Sequence, residues 1–155
     1  MKLLLALSAT ALCFLSTDVL SVQPGQSGQN FFTCDVSVLT LDEGHSLIIW
    51  KGKGVQVTAA NSPDHMSHID CSGTIESMAD KTFKSGGYCL HTDREGDKWI
   101  DRWWNDSSMK TGRFEYTGVS GKWKDMRGVK GNFTFTDLST QTDCRGVASW
   151  EVTRQ

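Results

Sequence analysis

Four stretches of the chain alternate apolar and polar residues with a period of two, and each carries one cysteine on its apolar side. Phe32, Cys34, Val36 and Val38 share one parity, as do Ile69, Cys71, Gly73 and Ile75. Phe83, Ser85, Gly87, Cys89 and His91 form a third set, and Cys144, Gly146, Ala148, Trp150 and Val152 a fourth. Asp35, Asp70, Lys84 and Glu151 fall on the opposite parity. Successive side chains of a strand point to opposite faces, so the cysteine face is read as interior. The same pattern predicts strands over 31–39, 46–51, 54–60, 68–77, 83–91, 98–104, 112–119, 129–136 and 145–153. Between them lie "LDEGH", "KGKG", "NSPDH", "MADK", "DREGD" and "NDSSMKTG", rich in the residues that turns demand. No amphipathic helical period and no internal repeat interrupts the series. The expectation is an all-β chain: a single antiparallel β-barrel of about eight strands.

The ends and the cysteines set the compartment. Met1-Lys2 followed by the apolar run Leu3–Leu15 is too short for a bilayer span and suits a secretory signal, with cleavage after Ser21. Residues 1–21 are therefore read as a signal peptide, the polar stretch 22–30 as a flexible leader, and 31–155 as the barrel domain. Beyond Cys13 four cysteines remain, spread without a C-x-x-C pair, and an even number in an exported chain reads as two disulfides. A short turn joins 68–77 to 83–91, which favours Cys71 with Cys89 and leaves Cys34 with Cys144. The protein is expected to be exported, periplasmic or extracellular, and stapled by these two bonds.

A formal net charge of −2 without a basic run argues against nucleic acid as a partner. No membrane insertion and no cofactor are expected, and the sequence leaves oligomerisation open. Six Trp, seven Phe and two Tyr supply either a rich core or a binding surface.

Glycines at 118, 121, 128 and 131 sit between two aromatic runs, where they mark bulges, corners or close backbone approach. The segment "GVSGKWKDMRGVKGNFTF" resembles the glycine-rich "GGTGKF…G..G" stretch of the allene oxide cyclase and dirigent barrel superfamily. The wider frame "CSGT…SGGYCLHTDREGDKW…TGRFEYTGVSGKWKDMRGVKGNFTF" is similar to small exported bacterial proteins of unassigned function, over roughly half the chain. What the resemblance implies is the barrel. It brings no catalytic residue and no reaction.

The hairpin "GGYCLHTDREGDKWIDRWW" offers the most chemistry. A four-residue loop Asp93–Gly96 would pair Thr92 with Asp97, set Gly87 opposite Arg102, and turn Ile100, Arg102 and Trp104 inward. A one-residue slip would turn Trp99, Asp101 and Trp103 inward instead. On the first register Arg102 is a charged group inside an apolar lumen, with Trp104, Tyr116, Phe133 and Trp150 as aromatic walls. Tyr88, Trp99 and Trp103 would then form an outer patch suited to a protein or glycan partner. His91, on the interior face near the barrel mouth, is the candidate for acid–base work. His65 and His68 in "DHMSHID" are metal-ligand types, but their spacing brings them together on a helix and not on a strand, so no metal site is assigned.

Three functions follow as expectations. The first is binding of a small, largely apolar ligand in the lumen. The second is a cyclase- or isomerase-type enzyme using the same cavity. The third is an interaction module working through its outer aromatic patch over a filled core.

Overall fold

The computed structural model describes residues 25–140 and 143–153. The expected signal peptide and its cleavage point lie outside them. Eight antiparallel strands form a closed barrel in simple up-and-down order. They are β1 (Ser27–Asp42), β2 (His45–Val57), β3 (Ser67–Ser77), β4 (Phe83–Thr92), β5 (Lys98–Asp106), β6 (Gly112–Val119), β7 (Lys130–Asp137) and β8 (Cys144–Val152). One 3-10 turn, Gly121–Met126, sits between β6 and β7. Closure comes from β1 pairing with β8 between Ser27↔Glu151 and Cys34↔Cys144, which leaves no free edge. No helix among the described residues is long and apolar enough to cross a membrane.

The expected disulfides form, each between directly opposed residues. Cys71 pairs with Cys89 across β3–β4, and Cys34 with Cys144 across the β1–β8 seam. Their separations of 18 and 110 residues mean that one staples a local hairpin and the other the closure of the barrel. Two such bonds fit an oxidising compartment.

Two differences from the sequence reading bear on the barrel. Residues 27–30, expected in a flexible leader, are strand, because β8 supplies a partner for each of them. "KGKG" is not a turn but the middle of one 13-residue strand, β2. Gly52 lies opposite both Cys34 and Cys71, and a Cβ there would meet the Trp50 ring at 2.6 Å. The glycine makes room for an inward indole, and the flanking Lys51 and Lys53 are exposed. Turn-forming composition and close approach use the same residue, and only the partner strands distinguish them.

Candidate functional site

The two ends of the barrel differ. At one end the β4–β5 loop and the 3-10 turn lock together as a cap. Asp93 Oδ1 accepts the Glu95 and Asp97 amides at 2.8 and 3.0 Å. Its Oδ2 accepts Trp123 Nε1–H at 2.8 Å and pairs with Lys122 Nζ at 2.8 Å. Trp123 is buried against Trp99, ring centroids 4.5 Å apart. Gly121 has φ +55°, and a Cβ there would strike the Asp97 carboxylate at 2.2 Å, so only glycine lets the turn approach the loop. This is the structural use of the glycine-rich segment.

The cap also decides the hairpin register. Because the Asp93 carboxylate gathers the Glu95 and Asp97 amides, the loop holds five residues, and Thr92 pairs with Lys98. The expected pairing with Asp97 is displaced by one. Trp99, Asp101 and Trp103 therefore point inward, and Arg102 and Trp104 do not line the lumen. Arg102 is exposed on the outer face, its guanidinium 5.6 Å from the Trp104 ring centroid. The expected outer patch is dismantled by the same shift: Tyr88 is exposed, Trp99 is fully buried, and Trp103 enters the lumen. Gly87 faces Trp103 instead of Arg102, and the indole lies where a side chain at 87 would be.

Inside the barrel is a cavity of about 520 Å³. Its walls include Phe32, Trp50, Trp103, Phe114, Phe133 and Trp150. The rings interlock: Trp50 lies 5.5 Å from Trp103, and Phe133 meets Trp103 edge-on at 6.3 Å. Val36, Ile48, Ile75, Phe83 and Phe135 line the end away from the cap, where Val36 and Phe135 are about half exposed. That end is the mouth. The floor, beneath the cap, is polar.

Five polar residues define this floor. His91 is 1% exposed, stacks on Trp99 with the planes 9° apart, and its Nε2 lies 2.8 Å from Asp101 Oδ2. With Asp101 accepting from Nε2–H, Nδ1 holds the lone pair, and it has no partner among the described residues. Tyr116 stands opposite Asp101 across β5–β6, at a bulge where Ile100 pairs with Gly118 and Thr117 is passed over. That extra residue keeps both Tyr116 and Val119 on the inner face. Burial raises the Tyr116 phenol well above its ordinary pKa; the Asp101 and Asp64 carboxylates add to this, and the Trp99 indole opposes it. Gln56, 1% exposed, donates Nε2–H to Asp64 Oδ2 at 2.7 Å, while its Oε1 is unbonded. Asn30, also at this end, accepts Trp150 Nε1–H at 3.0 Å.

Of the residues expected in the lumen, His91, Tyr116, Phe133 and Trp150 line it. His91 lies at the capped floor and not near the mouth, because the end of β4 is closed by the 3-10 turn. The "DHMSHID" histidines do not converge: the His65 ring bonds the Thr58 carbonyl at 2.8 Å, and exposed His68 pairs with Asp70 at 3.0 Å. No group of three or more His, Cys, Asp or Glu among the described residues is placed to hold a metal ion. The important residue of that segment is Asp64, 3% exposed, which accepts from Gln26, Gln56, Thr58 and Ser62. Asp64, Gln56 and Asn30 escaped sequence reasoning, since a buried polar residue has no signature in composition. Asp101 was visible only as the outcome of the other register.

No family model matches the chain, and no curated protein matches it. Among solved structures it is similar to one described as an enzyme from Penicillium herquei, with 11% identity and a TM-score of 0.54, covering 86% of this chain and 99% of that one. The likeness is one of fold. The similarity to allene oxide cyclase and dirigent barrels draws no support from a family model or a curated relative.

Proposed function

We propose that this protein binds a small, largely apolar molecule in the barrel lumen, with the aromatic walls enclosing it and the capped floor reading its polar end. The observation that carries the reading is the cavity of about 520 Å³, within the range of small-molecule sites and walled mainly by aromatic and aliphatic side chains. A few convergent polar groups at one end fix orientation in such a site. An interaction module with a filled core would need the opposite arrangement: Trp99 and Trp103 outside and no cavity. The two disulfides support export to the periplasm or the extracellular space as the place of action.

A second reading, a cyclase- or isomerase-type enzyme, is favoured by one observation: the buried His91–Asp101 pair beside Tyr116. Asp101 would hold the tautomer that leaves His91 Nδ1 as a base, and the walls would fold a flexible substrate into a reactive conformer.

The test is binding of N-phenylnaphthylamine, a neutral apolar fluorophore, to the wild type, to Ala148→Phe, which fills the lumen, and to Tyr88→Ala on the outer face. Saturable binding lost in Ala148→Phe and kept in Tyr88→Ala supports the lumen. Loss in Tyr88→Ala alone would move the site to the exterior and sink the proposal.

A further inference from the structure

Resting on that lumenal reading, we propose that the ligand's polar end is an organic cation, an amine or a comparable head on an apolar body, seated at the floor against Asp101. The charge inventory favours a cation. Asp101 lines the floor with His91 as its imidazole partner, and Asp64 lies behind Gln56. Asp64 takes its side-chain hydrogen bonds from Gln26, Gln56, Thr58 and Ser62, all neutral, so no cation offsets it. Among the described residues lining the cavity, Arg145 is the single Lys or Arg; it is largely exposed and paired with Asp143.

Acceptors without a partner lie there, beside the unpartnered indole N–H groups of Trp99 and Trp103. Asp101 is 8% exposed with one oxygen held by His91, whose own Nδ1 is unbonded. Gln56 Oε1, in a residue 1% exposed, is unbonded too. Buried acceptors of this kind call for a donor, and a cationic donor makes the stronger, charge-assisted bond. The surrounding walls suit the same head: Phe114, Tyr116, Trp103 and Trp150 line the cavity around it, and aromatic faces attract cations. An anion would instead meet the Asp101 carboxylate.

The experiment compares three probes with one apolar body: naphthylmethylamine, naphthylmethanol and naphthoate, by calorimetry near neutral pH. The amine is expected to bind at least about tenfold tighter than the alcohol, with naphthoate weakest. In Asp101→Asn the amine's advantage should shrink to about twofold or less while the alcohol keeps its affinity. Equal binding of alcohol and amine by the wild type, or preference for naphthoate, overturns the cationic head and leaves lumenal binding standing. Failure of all three where N-phenylnaphthylamine binds also overturns the cation; failure of that neutral probe as well overturns both readings. The wild-type ranking decides the matter even if the variant does not fold.

Discussion

Asp101 and His91 meet diagonally across the β4–β5 pair, Oδ2 to Nε2 at 2.8 Å, at the bottom of a largely apolar cavity. The contact exists because Cys89 faces Asp101 and His91 faces Trp99, which places all four side chains on the inner face. The imidazole rests on the Trp99 ring, which fixes its plane, and the Asp101 contact fixes its rotation.

Removing the acceptor should therefore cost stability as well as function. Asp101→Ala leaves a buried imidazole with neither nitrogen bonded, a loss of about 1–3 kcal/mol. Urea unfolding of the variant against the wild type measures it. A change within error would mean that water replaces the carboxylate without penalty.

Close packing in the lumen makes a sharper prediction at Gly87. A Cβ there would lie 2.1 Å from the Ser72 carbonyl oxygen and 2.7 Å from the Trp103 ring. Gly87→Ala should destabilise the barrel by about 1–3 kcal/mol or more. At Gly118 the nearest atom to a new Cβ is Ile100 Cδ1, at 3.5 Å. Gly118→Ala should be neutral or stabilising by up to about 1 kcal/mol. The contrast, read by thermal unfolding, tests whether Trp103 is truly packed against the β3–β4 backbone.

The cap should respond to pH at both extremes. Burial disfavours the Asp93 carboxylate, but hydrogen bonds from Lys122, Trp123 and the Glu95 amide outweigh it and hold the pKa below its ordinary value. A carboxyl group depressed in the folded state stabilises above its unfolded pKa, and that contribution disappears as pH falls through the folded value. Lys122 is the converse: burial works to lower its pKa, and the bonds to Asp93 and Glu95 raise it overall. Its contribution is complete below the unfolded value and is lost as pH rises through the folded one. Stability should thus decline below about pH 4 and above about pH 10. Asp93→Asn should flatten the acid branch, measured as unfolding free energy across a pH series. An unchanged acid slope would show that the Asp93 contacts are not what that branch reports.

Much of the barrel was legible in the chain because alternation with period two is a local property. Each cysteine run declared its own inner face, and the short turn between β3 and β4 made Cys71 the neighbour of Cys89. His91, Trp150 and Phe133 were likewise readable, since parity alone places them inside once the face is known. The glycine-rich segment announced close approach without saying to what.

The site itself depended on contacts between distant segments. Whether Arg102 or Asp101 enters the lumen turns on one residue of register, and that register is set by Asp93 gathering loop amides while also holding Trp123 and Lys122, about 30 residues further on. The loop-amide bonds lie within the hairpin, but the Trp123 and Lys122 contacts that hold the Asp93 carboxylate come from outside it. The same holds for Lys51–Gly54, a turn by composition and a strand once β1 and β3 flank it. Sequence determined most of the strands and their inner faces, and favoured the local Cys71–Cys89 pairing, because those follow from neighbours along the chain. Tertiary structure alone decided the register, the closed floor and the charge inside it, because each rests on side-chain hydrogen bonds between segments that only the closed barrel brings together.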